Sequence, residues 1–405
     1  MNENTNEEKK EEKKVSENKG KEIITNNPNP IPPKQTKNNK DIKKKLMRMM
    51  LIVVGVLVII LIIILITSLF GSREKSYEEI ETDLKNAAIE YYKVQSGLLP
   101  REEGETITVR AKTLADAELM KPLSELREGE SCSGRVEVTK VGDNIIYTPY
   151  LDCGENYTTK ELYKAVLEQG IVTSGSGLYD LNSEKVYRGD NVNNYVQLDK
   201  ELFRIIKVTS DNKLLLILNE MDSTLSTYYD DRYNQDRLFN SGFNDYRISR
   251  INDYLDDLYN NKLDITLLSK NDKEKLTNFN LCIGKRTPTE TVNNNSIECS
   301  DVLENQMIGL LTVSDYMNAS LDANCKATTD RSCQNYNYLR LRNTEWWLVT
   351  GNALNNYESY VVKSNGYIEE NTSSGYKKVR PTIMLNNNVM IKSGDGSESN
   401  PFVLK

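Results

Sequence analysis

Hydrophobic and polar positions divide this 405-residue chain into stretches of distinct periodicity. Residues 49–70, MMLIVVGVLVIILIIILITSLF, are an apolar run of 22 residues without a charge. As a helix it measures roughly 33 Å, enough for a hydrocarbon layer of ~30 Å. A core helix keeps a polar stripe and this run has none, so it predicts a transmembrane signal anchor over 46–70. Tyr77, Ile80, Leu84, Ala87, Tyr91 and Val94 then recur at alternating spacings of three and four. They predict one apolar stripe on a helix that stops near Gly97 and Pro100. The stripe is short for a coiled coil, so packing against its own small domain is favoured over a homo-oligomer formed through residues 77–96.

Farther on, SCSGRVEVTKVGDNIIYTPYLDCG carries β-prone runs on both sides of Gly142-Asp143, a two-residue hairpin loop. TTKELYKAVLEQG reads as a helix with a capping box from Thr158 and Glu161 and a stop at Gly170. TSGSG at 173–177 reads as a linker. Beyond it, LFRIIKV and KLLLILN flank Thr209–Asn212 as a buried strand pair, and Ile248, Ile251, Leu255 and Leu258 give a helix a core face. The last third, with WWLVT, YVVKSNGYI, KVRPTIML, NVMIKSGDG and FVLK, is rich in strands and turns. The fold class expected is α+β. A cytoplasmic tail (1–45) and the anchor (46–70) precede a small pilin-like helix-plus-hairpin domain (71–172). A larger α+β domain of short antiparallel strands follows (173–405).

Charge sets the expected orientation. Residues 34–48 hold seven positive charges and one negative, whereas 71–90 hold three and six. Positive flanks stay inside, so the N-terminus is expected in the cytoplasm and the C-terminal bulk outside the cell. The Lys/Glu/Asn-rich first 40 residues lack apolar surface to bury and are expected to be disordered. Residues 1–48 sum to +5 and the whole chain to −7, which leaves −12 beyond the apolar run. Such an acidic body does not neutralise phosphates, so no nucleic-acid partner is expected. The chain has no histidine, which removes Ser-His-Asp and Cys-His catalysis and histidine metal sites.

All six cysteines, at 132, 153, 282, 299, 325 and 333, follow the anchor, where an oxidising compartment favours disulfides. Around a Gly142-Asp143 loop the facing positions sum to 285, as 132 and 153 do, and counting back places them at a non-hydrogen-bonded pair. Cα atoms there approach to ~4.5 Å, which a disulfide accepts. A bulge at Pro149 would spoil that register. Cys282–Cys299 and Cys325–Cys333 follow as neighbour pairings, with the alternatives left open by spacing alone. No C-x-x-C occurs, and no metal or other cofactor is expected.

Four segments occur in order: GLYDLNSEKVYRGDNVNNYVQLDKELFRIIKV, IGLLTVSDYMNAS, EWWLVTGN and VRPTIMLNNNVMIKSGDGSESNPFVLK. Together they make residues 77–405 resemble a family of membrane-anchored surface proteins of low-GC Gram-positive bacteria to which no activity is assigned. The resemblance implies a cell-surface setting. More remotely, the C-terminal W…VRP arrangement looks C-type-lectin-like. No EPN or WND calcium–sugar signature is present, so lectin chemistry is not carried over.

Few residues stand out as candidate sites. Trp346 and Trp347, the only tryptophans, point to opposite faces of a strand. Core packing is the favoured reading for both, with Trp347 at a ligand groove as the alternative. Arg380 in KKVRP is read first as half of a buried ion pair and second as an anionic-ligand contact. Asp395 and Glu398 read as a turn rather than a calcium loop, and Asp230, Asp231 and Asp236 as solvated charge rather than glycosidase carboxylates. The function expected is non-catalytic binding of an extracellular ligand (glycan, wall polymer or protein) by the ectodomain of a single-pass membrane protein. A pilin-like or scaffold subunit is the alternative, and a histidine-free hydrolase ranks last.

Overall fold

A computed structural model describes residues 39–69, 74–199, 201–220, 224–236, 241–263 and 267–405. The expected disorder of the extreme N-terminus, with the charges of Lys34 and Lys37, lies outside the described residues. The chain forms two units, 1–73 and 74–405.

In the first unit one helix spans Asn39–Leu69. It begins upstream of the apolar run, so the basic flank from Lys40 to Arg48 is helical, where the sequence suggested a tail. Over Lys43–Ile62 it is long and apolar enough to cross a membrane.

The second unit contains two hydrophobic cores. In the smaller, the helix Tyr77–Val94 lies against a three-stranded antiparallel sheet of β1 (Thr106–Arg110), β2 (Ser133–Val141) and β3 (Asn144–Asp152). Ser76 and Glu79 form the capping box that starts this helix, a signal the sequence reading passed over. Ile80, Leu84, Ala87, Ala88 and Tyr92 are buried in this core. The stripe therefore turns toward Tyr92, and Val94 is 86% exposed. Every β2–β3 pair sums to 285, Pro149 faces Val136 without a bulge, and Gly142 takes the positive φ that its tight loop requires. Cys132 and Cys153 are bonded with Cα atoms 4.1 Å apart.

The larger core is built on two sheets. In chain order the strands are β4 (Gly177–Leu181), β5 (Glu184–Arg188), β6 (Tyr195–Leu198), β7 (Glu201–Val208), β8 (Leu214–Leu218), β9 (Ser226–Tyr228), β10 (Phe279–Cys282) and β11 (Val302–Gln306). They continue with β12 (Trp346–Gly351), β13 (Glu358–Val362), β14 (Ile368–Thr372), β15 (Tyr376–Lys378), β16 (Thr382–Leu385), β17 (Ile391–Ser393) and β18 (Phe402–Leu404). One sheet runs β16-β8-β7-β6-β18-β17, with the β4–β5 hairpin attached to β7; the other runs β14-β13-β12-β15-β9. Most neighbours are antiparallel, but β6–β18 and β12–β15 are parallel, a departure from the antiparallel expectation. KVRPTIML is two strands of different sheets, because Val379-Arg380-Pro381 carries the chain from β15 to β16. YVVKSNGYI is likewise a hairpin, turned at Gly366.

Two helices depart from expectation. The one after β3 spans Leu162–Glu168 with Glu161 as an N-cap lacking a side-chain cap bond, so the Thr158–Glu161 capping box does not form. Thr158 donates to Asp152 and to the Gly154 carbonyl, and Leu162 and Val166 belong to the larger core. The helix Arg250–Asp257 buries Ile251 and Leu255, while Ile248 precedes it and is 54% exposed. Cys282–Cys299 and Cys325–Cys333 close the other two disulfides.

Candidate functional site

The register of the larger sheet lays one row of side chains across four strands. Val186 on β5 faces Lys207 on β7, Lys207 faces Leu215 on β8, and Leu215 faces Met384 on β16. Directly paired residues share a face, so the row forms a continuous strip. Lys207 belongs to it only because β7 bulges between Ile205 and Lys207. An unbulged strand would place Lys207 opposite Leu214, on the other face. The extra residue re-aims it.

The strip floors a cleft of about 550 Å³. Lys207 donates to Glu184 at 2.8 Å and lies 3.6 Å from Asp315. Desolvation pulls its pKa down, but the Asp315 and Glu184 carboxylates outweigh it, so the ammonium titrates above its ordinary value. Asp315 sits in the helix Val313–Asn318, whose N-cap Thr312 accepts from its backbone N–H. Asn295 donates to Asp315 at 2.8 Å, and the Thr312 hydroxyl lies 2.7 Å from the Asn295 side-chain oxygen and 2.8 Å from Asp315.

One wall is the loop from Cys282 to Cys299, stapled by that disulfide. Inside it Arg286 and Glu298, both completely buried, pair at 2.9 Å. Ser314 ties the pair to the neighbouring helix: its hydroxyl donates to Glu298 at 2.8 Å and accepts from Arg286 at 3.0 Å. Gly284 packs so tightly that an added Cβ would stand 2.5 Å from the Ile297 carbonyl oxygen. A covalent staple, a buried ion pair and a close backbone approach hold this wall in one arrangement, so binding there would lose little loop entropy.

The residues singled out in the sequence are elsewhere. Trp346 and Trp347 are fully buried on β12; Trp347 donates to the Thr227 carbonyl at 3.1 Å and packs edge-on against Tyr229. Trp347 thus opens no face to a groove. Arg380 is also fully buried and makes no ion pair among the described residues. Its guanidinium donates to the carbonyls of Leu218, Leu339 and Asn219. Burial pushes its pKa down to about 9, and it stays charged at neutral pH. Asp230 is buried and chelated by Arg232, Asp231 pairs with Arg250, and Asp236 accepts from Asn356. Asp395 caps a turn by accepting from Ser397 N–H. Glu130, Cys132 and Cys153 are close enough to suggest a metal site, but disulfide sulfurs offer no thiolate ligand.

The cleft residues left little trace in the sequence. A lone lysine in FRIIKV and the run NNNS after TV were the available signals, and the bulge that joins them to the cleft was not readable. Comparison of the chain with protein-family models, curated proteins and solved structures gives no match.

Proposed function

We propose that this chain is a single-pass membrane-anchored bacterial surface protein of the kind its four ordered segments resemble. Its N-terminus lies in the cytoplasm and residues 74–405 lie outside the cell, where they bind an extracellular ligand without transforming it. The observation that carries the binding is the stapled cleft over β5, β7, β8 and β16. A concave site with a few convergent polar groups on an apolar floor is what small-ligand recognition requires. Three disulfides in 74–405 and the apolar helix Asn39–Leu69 support the surface setting. Asp230 and Asp231 are engaged in ion pairs, so the hydrolase reading gains no support from them.

The test is the full chain in lipid nanodiscs, screened on glycan and surface-protein arrays beside a Lys207→Met/Asp315→Asn double variant. Binding by the parent and its loss in the variant are expected; an array with no signal above background overturns the reading. A pilin-like scaffold is the second reading, favoured by the helix Tyr77–Val94 lying on a three-stranded sheet. A homo-oligomer formed through 77–96 would give ladders on membrane crosslinking, although Ile80, Leu84 and Ala87 face the chain's own core.

A further inference from the structure

We infer that the ligand of the cleft is a neutral saccharide, an inference that rests on the binding reading above. The charged groups at the cleft already have partners. Lys207 is held by Glu184, and Lys213 pairs with Asp211 at 2.9 Å. The Asp315 carboxylate is occupied by Asn295 and Thr312. An anionic ligand meets three carboxylates there, and a cationic one must compete with a lysine already in place. Charge selects against both.

The groups left over are neutral and hydrogen-bonding. Thr382 lies on the same face as Met384, two residues along β16, and its buried hydroxyl has no partner among the described residues. Asn182, Asn280 and Asn318 also line the cleft. Among the described residues the side-chain amides of Asn182 and Asn280 and the side-chain oxygen of Asn318 make no hydrogen bond. Donors and acceptors thus stand together beside the apolar Val186, Leu215 and Met384. A sugar ring has the matching character, with hydroxyls at its edge and C–H groups on its face.

A neutral peptide is the competing occupant, and the floor disfavours it. Peptides add to sheets through open strand edges. Here β5 is flanked by β4 and β7, β7 by β5 and β8 beside Lys207, and β8 by β7 and β16. The remaining edge of β16 bridges to Leu276 and Gly309. None of the floor strands offers a free ladder, so recognition by the floor comes from side chains.

The test uses the full chain in nanodiscs, with saturation-transfer NMR and titration calorimetry. The probes are three neutral trisaccharides (cellotriose, maltotriose and triacetylchitotriose), cationic chitotriose, anionic trigalacturonate and capped trialanine. Binding of at least one neutral trisaccharide is expected, at least tenfold tighter than the charged sugars and the peptide. It should weaken at least fivefold in Asn182→Gly, which removes the amide and keeps the positive φ of this exposed turn residue, and in the isosteric Thr382→Val. Neutral-sugar binding unmoved by both variants lies elsewhere and overturns the inference. So does tighter binding of a charged sugar or the peptide. If no trisaccharide binds while an array ligand is lost in the Lys207→Met/Asp315→Asn variant, the saccharide inference fails and the binding reading stands. Silence in both experiments overturns both.

Discussion

The Arg380 guanidinium carbon lies 5.1 Å from the centroid of the Trp346 ring, and both side chains are withdrawn from solvent. No carboxylate accompanies them among the described residues. The charge is solvated by three main-chain carbonyls on one side and an indole face on the other, a cation–π arrangement strengthened by desolvation. Leu218 and Asn219 close β8 and Leu339 precedes β12, so one side chain fastens the crossover from β15 to the other sheet.

Arg380→Met leaves those three acceptors without donors, and a loss of about 3–5 kcal/mol is expected. Arg380→Lys keeps the charge but not the planar fork, and should lose a substantial part of that stability. Denaturant midpoints at constant slope measure both. A loss below about 1 kcal/mol for Arg380→Met would show that water replaces the guanidinium.

The Arg286–Glu298 pair behaves differently, because each charge is compensated by the other. Glu298→Gln strands a buried guanidinium and should cost about 3–5 kcal/mol, whereas Arg286→Met with Glu298→Leu should recover most of it. A double-mutant cycle reads the coupling. Additive losses would mean that the two charges are solvated independently. Since the pair lies inside the stapled loop, Glu298→Gln should also weaken ligand capture in the cleft more than Arg380→Met does.

Local rules carried the reading of the hairpin and the apolar helix. Counting outward from Gly142-Asp143 sufficed to place Cys132 against Cys153, because a two-residue loop fixes every later pair. The helical stripe from Ile80 to Ala87 was legible for the same reason, and its end was not: rotation toward Tyr92 depends on where the sheet lies. Arg380 shows the limit. Its charge and its proline neighbour were visible, but its partners are carbonyls more than 40 residues and more than 160 residues away, which carry no side-chain signature. The cleft was hidden because it depends on one bulged residue in β7. A periodic pattern reports which face is apolar, and it is silent about an inserted residue that exchanges the faces.

Glu345 supplies a pH signature. It bridges Lys363 at 2.6 Å and Lys377 at 2.7 Å next to the tryptophan strand. Partial burial pushes its pKa up, but the hydrogen bonds and charges of the two lysines outweigh that, so it titrates below the ordinary 4.5. A depressed carboxylate contributes stability that is present above its unfolded pKa and is lost as pH falls through its folded pKa. The clamp is partly solvated, so Glu345→Gln should cost about 0.5–1 kcal/mol at pH 7, and the difference should vanish in acid. Thermal midpoints from pH 7 to about pH 3 follow it. A difference that persists unchanged to the acid end would show that the glutamate acts through packing.

Glu81 and Lys405 join the two cores of residues 74–405. Glu81 is 5% exposed on the helix of the small core, and Lys405 follows β18 of the large one. The lysine reaches both carboxylate oxygens, at 2.7 and 2.6 Å, and the Tyr157 hydroxyl donates to the same carboxylate at 2.9 Å, joined by Thr159. Tyr157 in turn stacks on Tyr77 with centroids 4.4 Å apart. Glu81→Ala removes the acceptor for two hydroxyls and one ammonium and should cost about 2–4 kcal/mol. Lys405→Met leaves the carboxylate its two hydroxyl donors and should cost less. Hydrogen exchange locates the effect: the small core contributes the helix and both hydroxyl donors, so protection should fall across β1–β3 before β7 and β8. Uniform loss across both cores would mean that they open together and that the clamp is not a separable joint.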